Sequence, residues 1–164
     1  MAVRYWDGDT NGILTEATNW DGDVLPANDD TIIFSENSTD ITGDLSGKTN
    51  LHMFVGSQWT GKFGTSVTAA TFHLDSLDYA GTASEVYLDL DTNALTVNVA
   101  DTGSGDAALS LGGDATISML RVIGGRGTIY NRQASRTITT VELIGARNAT
   151  VDIGTVPASG TTLR

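Results

Sequence analysis

An internal repeat constrains this chain more than any other feature. The segment T-I-S-M-L-R-V-I-G-G-R-G at 116–127 returns 21 residues later as T-I-T-T-V-E-L-I-G-A-R-N at 137–148. Ile117 matches Ile138, Leu120 matches Val141, Val122 matches Leu143, Ile123 matches Ile144, Gly124 matches Gly145 and Arg126 matches Arg147. Self-similarity at such a period marks stacked architectures, in which no single unit can bury its apolar face alone. Weaker copies stand upstream. F-H-L-D-S-L-D-Y-A-G at 72–81 and L-T-V-N-V-A-D-T-G at 95–103 place Leu77 and Val99 in the register of Val122 and Leu143, with spacings of 22, 23 and 21 residues. Second alternating runs lie between them, V-Y-L-D-L at 86–90, A-L-S-L at 108–111, T-I-Y at 128–130 and T-V-D-I at 150–153. Each unit therefore reads as two short period-2 strands separated by a Gly or Asn turn.

Stacking such units about 4.8 Å apart pairs their backbones in parallel and lines equivalent aliphatic residues into one core. The expected fold is all-β, with parallel β-solenoid (β-helix) coils of 21–23 residues over 67–164 and an aromatic-rich N-terminal β-cap over 1–66, as one continuous structural unit. Four to five coils would make a rod on the order of 20–25 Å long. A β-sandwich is the alternative, since short strands with closely spaced turns describe it too. The cap follows from the aromatic distribution: ten of the eleven aromatic residues lie between Tyr5 and Tyr87, and turn-formers interrupt residues 1–66 every few positions. With 164 residues the chain can bury a real core without covalent staples. It has no cysteine, hence no disulfide framework and no thiolate metal site. Almost no helix is expected from a chain rich in Thr, Gly, Ser, Asn and Val.

The net charge is −11, which disfavours nucleic acid as a partner, and no apolar run approaches the length of a membrane span, so no membrane partner is expected. The opening lacks a signal-peptide pattern, so the chain reads as soluble and not exported by its own leader. Charge is uneven along the chain. Residues 1–120 hold 18 acids against three bases, net −15, whereas 121–164 hold six Arg against two acids, net +4. The basic end, with Arg121, Arg126 and Arg147, is a candidate docking surface for an acidic partner or for a neighbouring subunit's acidic end.

Asp7-Gly8-Asp9-Thr10-Asn11-Gly12 opens like a calcium loop, but Thr18 stands where the bidentate Glu belongs, so an Asx/Gly turn is the simpler reading and no metal is expected. Gly124-Gly125-Arg126-Gly127 occurs once and lacks the following Asp of a calcium-binding β-roll; a coil corner with positive φ explains it better. Asp75, Asp78, Asp89, Asp91 and Asp101 could pair as carboxylates for glycoside cleavage, yet alternating strands place spaced acids outward without any activity. His52 and His73 sit in no ligand pair and near no nucleophile motif. Neither a catalytic residue nor a cofactor is assigned. Trp6, Trp20 and Trp59 are either a stacking platform for a sugar or protein partner or the cap's core. Asn37 and Asn148 begin N-x-S/T triplets, which carry no weight without an export signal.

The opening W-D-G-D-T-N-G-I-L-T-E-A-T-N-W-D-G-D-V-L-P-A-N-D-D-T-I-I-F, with Trp6, Asn19, Trp20, Pro26, Asp30 and Ile32 at the matching positions, resembles the start of β-helical surface and decoration proteins of tailed bacteriophages, related in pattern to β-helical bacterial adhesins. The likeness covers about 30 residues; the missing signal peptide and membrane barrel shift it toward the phage version. It implies a non-enzymatic virion structural protein, a capsid decoration, cement or head-fibre protein that forms a homotrimer. Its partners would be copies of itself and the major capsid protein or another virion component. It would be made in the host cytoplasm and carried on the virion surface. A glycan-binding adhesin or tail-fibre module is the alternative. Val122→Asp and Leu143→Asp are both expected to destroy folding by placing a charge inside a coil.

Overall fold

The computed structural model describes residues 1–36, 38–83, 85–91, 95–100, 108–113, 116–124, 127–131, 137–145, 149–152 and 162–163. The strands are β1 (Val3–Tyr5), β2 (Thr31–Phe34), β3 (Asp44–Leu45), β4 (Leu51–Val55), β5 (Ala70–Phe72), β6 (Leu74–Tyr79) and β7 (Glu85–Leu90). They continue as β8 (Leu95–Val99), β9 (Ala108–Gly112), β10 (Ile117–Ile123), β11 (Gly127–Asn131), β12 (Ile138–Ile144), β13 (Ala149–Asp152) and β14 (Thr162–Leu163). Helix among the described residues is confined to two short 3₁₀ turns, Ala17–Asn19 and Asp21–Asp23. No helix among them is long and apolar enough to cross a membrane.

All named strands pair in parallel and form two sheets. The first has eight strands in the order β1-β2-β4-β6-β8-β10-β12-β14, the second six in the order β13-β11-β9-β7-β5-β3. From β2 onward strands alternate between the sheets along the chain, so each of these coils lays one strand on each wall: a β-solenoid. At about 4.8 Å per rung the eight-stranded wall is about 34 Å tall. Four two-strand coils, β6/β7 to β12/β13, lie within the expected 67–164 region.

The parallel stack does not begin at residue 67. It starts at Val3, and β1, β2 and β4 lie on the same wall as the later coils. The boundary after residue 66 therefore marks no change of architecture. One inward column runs Ile32, Met53, Leu77, Val97, Leu120 and Val141, none more than 1% exposed. On the opposite side of the core another runs Ile41, Phe63, Val86, Leu109 and Ile129, all buried. Each fully buried aliphatic contributes roughly 1.5–3 kcal/mol, and the register repeats the contribution rung after rung.

The expected partners Ile117/Ile138, Leu120/Val141, Val122/Leu143 and Ile123/Ile144 are the Cα partners found. Gly124 and Gly145 follow β10 and β12 with φ of 76° and 61°, the positive φ expected at a coil corner. Two expectations need correction. Val99 pairs with Val122 as expected, but its partner on the other side is Tyr79; Leu77 pairs with Val97. A slip of two residues keeps every side chain on its face, so the hydrophobic pattern could not detect it. Leu143 is not inside the core: it is 49% exposed, because β14 covers Thr140 and Val141 and reaches no further.

Candidate interaction surface

Of the candidate contact residues, the three tryptophans are interior. Trp6 is 4% exposed, and Trp20 and Trp59 are fully buried. Phe34 joins them, its ring centroid 5.7 Å from Trp6, 5.8 Å from Trp20 and 5.4 Å from Trp59, with Phe63 at 5.0 Å in an edge-to-face arrangement. The expected sugar or partner platform is therefore corrected to core. The indole N–H of Trp20 donates to Leu14 O (2.9 Å) and that of Trp59 to Gly61 O (2.7 Å).

The turn at 7–12 is organised around Asn19, which is fully buried. Its Oδ1 accepts from the N–H of Thr10 and of Asn11, both at 3.0 Å, and its Nδ2 donates to Asn11 Oδ1 (2.9 Å) and Ile13 O (3.0 Å). That uses two acceptor and two donor sites of one amide. Asn11 Oδ1 also accepts from Ile13 N (2.8 Å), so the oxygen that a calcium loop would aim at an ion is committed to the turn. Among the described residues no group of three His, Asp or Glu side chains is gathered where a metal could sit.

Asp30 fills an inward position beside Leu51 and is 2% exposed. Burial alone would raise its pKa, but the N–H groups of Ala27 (3.0 Å) and Ala2 (2.5 Å), with Arg4 (3.6 Å) and the terminal ammonium, outweigh burial and hold the carboxyl below its ordinary value. Tyr79 is the reverse case. It is 2% exposed in a column otherwise of Phe34, Val55, Val99 and Val122, and burial pushes its hydroxyl pKa up.

The outward carboxylates are divided between the two walls. Asp75 and Asp78 lie on β6 in the first sheet and Asp89 on β7 in the second, facing away from each other across the shared core. Asp91 follows β7 and is exposed. His52 Nδ1 and Ser76 Oγ share a hydrogen bond at 3.0 Å on the first sheet's outer face, and His73 precedes β6. Asn37, Asp101, Arg126, Arg147 and Asn148 lie outside the described residues.

Arg121 is the one candidate contact residue on a described outer surface. One outward column of the first sheet runs Tyr5, Ile33, Phe54, Asp78, Asn98, Arg121 and Glu142. Its polar half is linked by hydrogen bonds: Asn98 Nδ2 donates to Asp78 Oδ1 (2.7 Å), Arg121 Nη1 to Asn98 Oδ1 (3.4 Å) and Arg121 Nε to Glu142 Oε2 (2.9 Å). Beside it Ala80 and Ala100 floor a depression of about 220 Å³, bounded by Phe54 at one end and Ile123 at the other. No family model, curated protein or solved structure matches this chain. Its surface has to be interpreted from its own chemistry.

That chemistry is asymmetric. Val3, Tyr5, Phe54, Ile123 and Ile144 are exposed on the outer face of the first sheet, by 42–52%. Among the strand residues of the second sheet whose side chains are described, none is a large exposed apolar one. The alternation of L-H-M-F-V already placed Phe54 on the outward parity with His52, and Ile123 directly after Val122 breaks the alternation of β10. Both signals were present in the sequence and were missed, since an apolar residue in a strand was counted as core.

Proposed function

We propose that the protein is a non-enzymatic structural component, a rigid self-associating rod carried on the surface of a phage particle. The observation that carries this proposal is the outer face of the first sheet. It exposes Val3, Tyr5, Phe54, Ile123 and Ile144 and pairs Glu142 with Arg121, on a chain of net charge −11. Exposed apolar patches of this kind mark protein contact surfaces. The phage setting rests on the resemblance of the opening segment, whose Asn19, Trp20 and Asp30 serve as loop organiser, core anchor and strand clamp. Contact with a shell protein would stabilise the assembled particle by mass action, since whatever binds the folded, assembled state shifts the equilibrium toward it. The glycan-binding alternative has lost its main support with the burial of the three tryptophans.

The test is a pull-down of the purified protein with undecorated phage capsids, intact host cells and host polysaccharide, with bound copies counted on a quantitative gel. Saturable binding to capsids is the expected result. Binding to polysaccharide with none to capsids would overturn the proposal.

A further inference from the structure

We infer that the outer face of the first sheet is a contact between two copies of this chain, related by a two-fold axis that runs along the strands and passes between β6 and β8. This names the surface for the self-association proposed above and rests on that part of the proposal alone.

Three observations point to a second copy. The first is area. Eight rungs of about five residues make a face on the order of 600 Å² in projection, comparable to the roughly 800 Å² of accessible surface that each partner buries in a stable interface. The second is charge. Copies of a chain of net charge −11 repel through most of their surface. Among the described residues this face holds three carboxylates, of which Glu142 is ion-paired with Arg121 and Asp78 accepts from the neutral amide of Asn98.

The third is self-complementarity, which any two-fold contact requires of a single patch. Turning the stack over about the β6/β8 boundary lays rung β6 on rung β8 of the mate and rung β4 on rung β10. Asp78 then faces the mate's Asn98 amide. Phe54 comes down beside the mate's Arg121 at the Ile123 end of its depression, a ring face against a guanidinium. Ile123 lies over Gly56, which has no side chain to oppose it, and Ala80 lies over Ala100. A two-fold along the stacking direction through this column would instead bring Asp78 onto Asp78 and Arg121 onto Arg121, like charges in contact. The complementarity thus selects one arrangement of the copies.

Two experiments test this on the full chain. Light scattering should give twice the chain mass for the wild type, and the chain mass for Phe54→Asp, whose thermal midpoint should stay close to that of the wild type because residue 54 is 45% exposed. The chain has no cysteine, so Thr31→Cys on β2 and Thr140→Cys on β12, which the two-fold lays over each other, can be prepared as separate proteins. A thiol-reactive crosslinker that spans the roughly 10 Å between packed sheets should join an equal mixture into a pair containing one of each, and neither variant alone should crosslink, because like positions lie five rungs apart. Crosslinking of Thr31→Cys with itself, a mass of three chains, or a Phe54→Asp protein that keeps the wild-type mass would each overturn the proposed contact while leaving self-association standing. A wild type that remains a single chain at its highest soluble concentration would remove both.

Discussion

The two ends of this solenoid fill the same columns with different chemistry. In the N-terminal coils the column shared by both ends is headed by Phe34, packed among Trp6, Trp20, Trp59 and Phe63. From Val99 onward it is aliphatic, through Val122 to Leu143. The backbone pairing is the same throughout. Repetition of register therefore does not require repetition of residue type. Aromatic side chains suit the coils whose strands are short and whose loops are long, such as 7–20 and 56–69, because one ring can touch several loops at once. Small β-branched residues suit coils in which longer strands already form the walls.

Placing a charge in the aliphatic half should have the largest effect. Val122 is 3% exposed, and Val122→Asp is expected to cost more than about 4 kcal/mol and abolish a cooperative melt. The same substitution one coil later, Leu143→Asp, is expected to cost less than about 1 kcal/mol; equal losses measured by chemical denaturation would mean that the last coil is covered after all. Next comes removal of the aromatic hub. Phe34→Ala should cost about 3–5 kcal/mol and Leu120→Ala about 2–5 kcal/mol, but only the first should collapse the near-ultraviolet circular dichroism, which reports ordered rings.

A smaller effect is expected at the N-terminal clamp. Asp30→Asn should cost about 1–3 kcal/mol by taking a charged acceptor from the N–H groups of Ala2 and Ala27. The folded pKa of Asp30 lies below its ordinary value of 3.8, so its contribution is complete above pH 3.8 and is lost as pH falls through the folded pKa. The stability gap between wild type and variant should stay constant above pH 3.8 and narrow below it; a gap that widens in acid would contradict the clamp. The smallest effect is a gain. The Tyr79 hydroxyl is buried with no protein partner among the described residues, so Tyr79→Phe should be neutral or stabilise by up to about 1 kcal/mol in the same denaturation experiment.

The fold was legible where strand period and coil period reinforce each other. The segments I-S-M-L-R-V-I at 117–123 and I-T-T-V-E-L-I at 138–144, 21 residues apart, set the pairing of β10 with β12 residue by residue. It was illegible in residues 1–66, because three-residue strands such as Val3–Tyr5 carry too little alternation to show a period, and because Arg4 and Asp30 stand at inward positions where an aliphatic residue was sought. Of the candidate surface, Arg121 was found through the charge gradient. Asp78 was placed outward by the alternation, but Phe54 and Ile123 were not, since which residues of distant rungs become neighbours depends on the register, and the register upstream of residue 95 could slide by two without disturbing the pattern.

The pair Arg4 and Asp30 has a consequence for growth. A parallel stack lengthens by adding equivalent rungs, and nothing in its geometry says when to stop. At the β1 edge, however, the inward place above Ile32 belongs to a guanidinium that is a quarter exposed, tied to a carboxylate that is almost wholly buried. A further strand laid on that edge would have to strip the remaining water from Arg4 and set it against apolar side chains, a penalty of several kcal/mol. Polymerisation through that edge is opposed by charge rather than by shape, so the self-association proposed above would have to run through the flanks of the stack and close on itself rather than grow as an open fibre.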